Sequence, residues 1–342
     1  MTSRRFDTPT PDLNGASILV TGGTGSFGRA FVKTVLERYE PARLAVLSRD
    51  ELKQFEMQQD PAISQKTCMR FFIGDVRDVG RLESAMRDVD IVIHAAALKQ
   101  ITTAEYNPFE CVHTNVMGAE NIVQAAIRMG VKKVVALSTD KAANPINLYG
   151  ASKLASDKIF VAGNNMAGSV GTRFAVVRYG NVLGSRGSVV PVFRNLLADG
   201  ATELPVTDAR MTRFWITLQQ GVDFVLSSLA MMTGGEIFVP KIPSTTLIDL
   251  ARALAPDAAH KVIGIRPGEK LHEIMITEDD SRSTVELDDR YVIEPVFSWW
   301  DTDPYLDNGA SRVEDGFVYA SNRNGETLDA EGLIGLLNEA GV

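Results

Sequence analysis

The sequence predicts a doubly wound α/β fold, a mostly parallel sheet with helices on both faces, followed by a smaller C-terminal lobe. Two observations carry that prediction. Short apolar runs alternate with helical patterns, and a glycine-rich turn joins the first run to the first helix. Strand and helix in alternation imply right-handed crossovers, and so a parallel sheet.

The first strand is centred on Ile18, Leu19 and Val20, and the helix two turns later shows an apolar face at Phe27, Phe31 and Val35. Between them runs TGGTGSFG, Thr21 to Gly28. Gly22 permits the tight turn, Gly25 lets the backbone approach a pyrophosphate, and Gly28 lets the helix pack closely on the strand. The helix N-terminus faces the phosphates, so Thr24, Ser26 and Phe27 join the glycines as expected cofactor contacts. Strand, glycine turn and helix together read as a Rossmann dinucleotide-binding lobe.

The second strand, Leu44 to Leu47, ends at Ser48, Arg49 and Asp50, where such a lobe meets the adenosine ribose. A carboxylate arriving first would favour NAD. Here Ser48 and Arg49 come first and Lys53 follows one turn on, so a 2′-phosphate would meet a hydroxyl and two cations. NADP is the expected cofactor, against the blander alternative that Arg49 pairs with Asp50 or Glu51. The third strand, Phe71 to Ile73, leads to Asp75 and Val76. The fourth, Ile91 to Ile93, leads to His94 and the small residues Ala95, Ala96 and Ala97, where a flat ring can approach the backbone, with Lys99 just beyond. His94 by itself reads as a hydrogen-bonded histidine at a strand end, and the other three histidines are scattered.

Asn107 and Pro108 are expected to cap and start a helix running toward Met129. Strands follow at Val134 to Leu137, Phe174 to Val177 and Ile237 to Val239, and Thr217 opens a helix through Val222 and Val225. Beyond Gly180 the pattern loosens into loops rich in Gly, Arg and Pro. We therefore expect a cofactor domain over residues 1–180, with segments near 214–240 returning to it, and a substrate lobe with a tail over 181–342. The acidic, aromatic stretch Ser281 to Asn322, which contains Trp299 and Trp300, reads as a lid, a subunit contact or packing over that lobe. Thr327 is expected to cap a last amphipathic helix, Leu328 to Leu337.

Composition suits an enzyme with a large core: 342 residues, 45% of them hydrophobic. The net charge of −8 disfavours nucleic acid and gives no basic patch for an anionic membrane. Only Cys68 and Cys111 occur, so no disulfide framework or metal-ligand spacing is present and no metal is expected. The N-terminal residues lack the apolar stretch of a signal peptide and no run approaches the ~18 apolar residues of a membrane span. The expected location is the cytoplasm.

The chemistry is concentrated in LSTDKAANPINLYGASK, Leu137 to Lys153. Tyr149 and Lys153, at i and i+4, share a helix face, so the ammonium is expected to lower the phenol's pKa. Asp140 and Lys141 sit directly beside the hydroxyl of Thr139. These are more proton-transfer groups than hydride transfer needs. Alone, a YxxxK is more often a helix-surface pair; behind a nucleotide-binding turn it reads as a site.

At this point the residues resemble a family. TGxxGxxG, HAAA, the TNVxG of Thr114 to Gly118, YxxxK and RYGNVLGSRGS (Arg178 to Ser188) are similar to the extended short-chain dehydrogenase/reductases. Within them, SRDELKQFEM, HAAALKQ, NPFECV, STDKAANPINLYGASK, MTRFWIT and GGEIFVPKIPS resemble the inverting UDP-N-acetylglucosamine 4,6-dehydratases of the PseB type, from about Ala16 to Glu278. The resemblance implies NADP, a UDP-sugar substrate, N-acetylglucosamine in the first instance, a cofactor contact at Asn115, and a homo-oligomer, dimer or hexamer. It also implies a first step in nonulosonic acid synthesis of the pseudaminic acid type.

For such a substrate, C5–H is not acidic until C4 is a ketone, so oxidation must come first. Tyr149 is expected to take the C4 hydroxyl proton, with Lys153 holding the nicotinamide ribose and Thr139 bonding the developing ketone. Lys141, neutralised in part by burial, would remove the C5 proton, and Asp140, kept protonated, would donate to O6. Tyr149 would return a proton to C5 from the other face. The nucleotide sugar is expected to meet Lys99, Lys141 and Asn181, with Ser185, Arg186 and Val190 in a glycine-flanked loop wrapping the diphosphate. Arg213 and Arg266 add phosphate contacts and Glu269 accepts from the uridine ribose. A 4-epimerase would share the Tyr–Lys pair but need no acid and base at C5 and C6, and a non-catalytic NADP sensor would not need an intact Thr139, Tyr149 and Lys153.

Overall fold

The computed structural model describes residues 4–185, 187–296 and 304–342. Six strands form the first half of a large sheet: β1 Ser17–Thr21, β2 Arg43–Ser48, β3 Met69–Ile73, β4 Ile91–His94, β5 Lys133–Thr139 and β6 Arg173–Tyr179. They lie side by side in the order 3-2-1-4-5-6, all parallel, and Ile237–Pro240 adds a further parallel strand beside β6. β1 is buried along its whole length and β2, β5 and β6 nearly so, which is why they read as continuous apolar runs rather than alternating ones.

The sheet does not stop there. Arg290–Ile293, Thr284–Glu286 and Ser311–Arg312 continue it antiparallel to ten strands. This part of the tail therefore closes the edge of the large sheet rather than lying over the substrate lobe. The physical reason is that Ile237–Pro240, wholly buried, would otherwise be an open apolar edge. Trp299 and Trp300 lie outside the described residues.

The smaller lobe begins where β6 ends. Asn181–Val182, Thr212–Ile216 and Ser244–Thr246 form a three-stranded sheet, and Glu203–Val206 pairs with Ala259–Val262. Helices Val189–Ala198, Leu247–Leu254 and Ala330–Glu339 enclose a second core around Phe193, Trp215, Leu250, Leu333 and Leu337. Val190 belongs to that core, fully buried in the first turn of its helix, and so is not part of a loop on the diphosphate.

Two helix starts differ from expectation. Asn107 ends the preceding helix, Ile101–Tyr106, with its amide donating to Thr103 O at 3.0 Å, and does not cap the next. The run toward Met129 is broken into Pro108–Val112, a π-turn at His113–Met117 and Gly118–Met129. The last helix starts at Ala330 under an Asp329 cap, because Thr327 is held extended in a bridge to Ser244. Thr217 does cap Leu218–Met231, in a capping box with Gln220. Among the described residues no helix is long and apolar enough to cross a membrane.

Candidate active site

A cleft of ≈ 920 Å³ lies over the carboxyl ends of the parallel strands, where the strand order reverses between β1 and β4. One end is built from the glycine turn. Gly22 has φ +65°, and a Cβ there would lie 2.8 Å from Ala96 N, so the β1 and β4 tips approach at backbone distance. A Cβ on Gly28 would lie 2.4 Å from Gly23 Cα, so this glycine packs the helix against its own turn. The helix Ser26–Arg38 starts at Gly25 with no side-chain cap, leaving its first-turn N–H groups without a side-chain partner. With Thr24, Ser26 and Phe27, and with Val76, Ala95, Ala96 and Ala97 along the walls, these groups make a cradle that fits a dinucleotide.

At the β2 tip, Ser48, Arg49 and Lys53 line the same cleft. The Ser48 hydroxyl accepts from Gln54 Nε2 at 3.0 Å. Lys53 sits 2.6 Å from Asp50, while Arg49 reaches Asp75 at 3.7 Å rather than Asp50 or Glu51, and both cations stay about half exposed. Asp75 is held below its usual range: burial works to raise it, but bonds and charge from Arg77, and then Arg49, outweigh that. Asn115 is not on the wall. It turns inward at the π-turn, accepting from Leu98 N (2.8 Å) and donating to Leu98 O and Ser152 Oγ (both 2.9 Å), so it clasps the loop after β4 instead of touching a cofactor.

The other end carries the groups expected to react. Thr139, Lys141, Tyr149 and Lys153 all line the cleft. Thr139 ends β5 and its hydroxyl caps a 3₁₀ turn, Asp140–Ala142. The helix Leu148–Ala167, capped by Asn147, packs directly on that turn, because Gly150 has no Cβ: one placed there would fall 2.3 Å from Lys141 O. Tyr149 is thereby brought to Thr139 and Lys141.

Asp140 is fully buried and does not reach the wall itself. Its Oδ1 accepts from the Thr139 hydroxyl (2.9 Å) and from Lys141 Nζ (3.0 Å), and its Oδ2 has no partner among the described residues. The expected direct donation from Asp140 to a sugar oxygen does not fit this placement, since the Thr139 hydroxyl stands between Asp140 and the cleft.

The charges differ from expectation as well. Burial works to depress the pKa of Lys141, but the carboxylates of Asp140 and Glu273 outweigh it and hold the ammonium above the usual lysine range. Lys141 is thus a resting cation, not a half-neutral amine. Burial pushes the Tyr149 phenol up to about 12, and the groups pulling it down are Lys141 and Thr139. Lys153 is not among them. It donates to Leu137 O at 2.7 Å and is itself depressed by burial, with Asp157 opposing. Lys99 is depressed by burial and then by the charge of Lys141.

Of the expected sugar contacts, Lys99, Asn181 and Ser185 line the cleft, and Arg186 lies outside the described residues. Arg213 is buried, donating to the Thr212, Lys270 and Leu271 carbonyls and facing Glu273 at 3.7 Å, so it serves the fold behind the site. Arg266 is exposed on Glu269 at 3.6 Å, and neither reaches the cleft wall. Sequence reasoning missed Glu273, Lys270 and the buried pair Arg178–Asp157 (3.2 Å), whose Asp157 also accepts from Ser138 at 2.8 Å. No local motif marks Glu273. Only the fold brings it to Lys141.

The profile of the polysaccharide biosynthesis protein family matches residues 18–295. A UDP-N-acetylglucosamine 4,6-dehydratase (inverting) of Campylobacter jejuni is 57% identical over 95% of this chain and 98% of its own. The chain belongs to the inverting 4,6-dehydratase family. A UDP-glucose 4-epimerase of Rickettsia canadensis is more distant, 42% identical over 81% of this chain and 82% of its own. Among solved structures, Pen from Bacillus thuringiensis superposes with TM-score 0.86 at 36% identity, covering 96% of this chain and 98% of that one. A dTDP-glucose 4,6-dehydratase from Streptomyces venezuelae with NAD bound reaches 0.66 at 26%, over 74% and 86%.

Proposed function

We infer that the chain converts UDP-N-acetylglucosamine to UDP-2-acetamido-2,6-dideoxy-β-L-arabino-hex-4-ulose, removing water across C5 and C6 and inverting C5. The observation that carries this is the Lys141–Asp140 ion pair, bridged by the Thr139 hydroxyl to the cleft beside Tyr149. NADP is the proposed cofactor, on the strength of Ser48, Arg49 and Lys53 at the β2 tip, with the glycine turn and the three alanines holding it. When bound, it would supply a reversible hydride acceptor, filled from C4 and emptied to C6 within one turnover.

The protein's own groups do the proton work. Tyr149 takes the O4 proton as its phenolate, the form that the Lys141 charge and the Thr139 hydroxyl favour against burial, and Thr139 steadies the ketone. The pair rests charged, with Lys141 still partly open to the cleft, and a bound substrate that displaces water there works against both charges. Transfer of one proton from Lys141 to Asp140 therefore yields the amine that removes the C5 proton and the acid that protonates O6. The second proton leaves outward, from Asp140 to Thr139 and from Thr139 to O6 as water departs. After elimination Lys141 is again an ammonium and Asp140 a carboxylate, so the cycle balances without a proton from solvent. Tyr149 then protonates C5 from the opposite face.

The Rickettsia relatives favour a second reading, a 4-epimerase. An epimerase gives the Lys141–Asp140 pair nothing to do. We place the product at the entry to nonulosonic acid synthesis, and the protein in the cytoplasm as a homo-oligomer, dimer or hexamer. The exposed aromatics Tyr106 and Phe109 on adjacent helices support the assembly.

The test is incubation with UDP-N-acetylglucosamine alone in deuterated water, followed by NMR. A 6-deoxy-4-keto sugar with deuterium at C5 and L-arabino couplings is expected. The galacto isomer would establish the epimerase, and retention at C5 in the first-formed product would refute inversion. Mass spectrometry of the denatured protein should release NADP; release of NAD alone would overturn that assignment.

A further inference from the structure

Glu273 belongs to no motif, yet it is 1% exposed beside the reacting groups. Its backbone N–H is fixed by Ser321 Oγ at 2.9 Å, just before the strand Ile274–Ile276. Oε1 lies 3.5 Å from Lys141 Nζ and 3.7 Å from Arg213 Nε, and Oε2 lies 3.7 Å from Lys270 Nζ. These are ion contacts, longer than hydrogen bonds, and Oε2 has no hydrogen-bond partner among the described residues. A carboxylate taken this far out of water and bonded this loosely is costly to keep. Its neighbours hold it against the catalytic turn. Lys270 Nζ donates to Ala143 O (2.6 Å), and Arg213 donates to the carbonyl of Lys270 (3.0 Å).

The groups facing Lys141 come from four places. Asp140 lies on its own turn, Tyr149 opens the packed helix, Lys99 follows β4, and Glu273, Arg213 and Lys270 reach in from the smaller lobe and its junction. Without Glu273, Lys141 would face one carboxylate and three cations. Its proton would then be held less firmly, and lost to solvent at lower pH.

We propose that Glu273 is a positioning residue which keeps Lys141 charged and turned to Asp140, so that the proton shared by that pair is present at the start of every elimination. This rests on the dehydratase reading above. Glu273 touches no reacting atom and acts only through Lys141.

The experiment compares the full-length enzyme with Glu273→Gln and Glu273→Asp, measuring kcat and KM against pH, and hydride transfer from C4 by nicotinamide absorbance in single turnovers. The wild type should hold its rate well into the alkaline range. In Glu273→Gln the alkaline limb should move down by about one pH unit or more, with KM within about threefold and the first hydride transfer retained. Glu273→Asp keeps the charge but withdraws it by one methylene. It should move the limb the same way by less, and it decides the matter where the Gln variant does not fold. A limb that stays in place while kcat falls equally at every pH would overturn the proposal in favour of simple packing. So would loss of the first hydride transfer. Absence of keto product from the wild type would instead fell the dehydratase reading, and the same assay reads it.

Discussion

Lys141 carries two duties that its neighbours in sequence do not disclose. In the proposed reaction it supplies the shared proton to Asp140, and its charge works to draw down the buried phenol of Tyr149. In Lys141→Met, the first hydride transfer should therefore survive, slowed severalfold, while elimination is lost by on the order of 10²–10⁴-fold. Stopped-flow absorbance would show reduced nicotinamide accumulating without keto product, and full turnover by the variant would end the assignment. That Thr139, Asp140, Lys141, Tyr149 and Lys153 would be brought together was legible because motif spacing survives in one dimension. The sign of the shift at Lys141 was not. It is a balance of burial against Asp140 first and then Glu273, and Glu273 reaches the turn only through tertiary packing, as does the helix that Gly150 lets close on Lys141 O.

The strands were legible for a related reason: a strand buried on both faces must be apolar throughout, and β1, β2, β5 and β6 are. Caps were less so, since Asn107 and Thr327 have the right chemistry but are claimed by Thr103 O and by the bridge to Ser244. His94, ending β4, shows what a strand tip can cost. Its Nδ1 lies 2.8 Å from Thr21 Oγ1, and burial first, then the charge of Lys153, push its pKa from 6.5 down to about 3. The folded state thus excludes a proton that the unfolded chain binds. Stability is complete above pH 6.5 and falls as pH drops toward 3. Between pH 6.5 and 5, before most carboxylates titrate, about 2 kcal/mol should be lost. Urea titrations across that window should show it, and His94→Asn, which can still reach Thr21, should flatten the slope by about one proton. An unchanged slope would remove His94 as its source.

The molecule has two main cores joined at the cleft, and they should fail separately. Leu333 is fully buried in the smaller one, on the helix Ala330–Glu339. Leu333→Ala should cost about 2–5 kcal/mol there. Calorimetry should then resolve an early transition, with UDP-sugar affinity falling before dinucleotide affinity. A single transition, with both affinities falling together, would show that the cores unfold as one. The ten-stranded sheet has its own consequence, for synthesis. While the chain emerges, β6 is complete long before Ile237–Pro240 arrives to cover it, and that strand in turn waits for Arg290–Ile293. At 5–20 residues per second the first wait lasts roughly 3–12 s, during which a bare apolar strand edge faces the cell. A ribosome stalled within that interval would hold an aggregation-prone nascent chain, so slow translation between Tyr179 and Ile237 should call on chaperones more than a pause after Ile293.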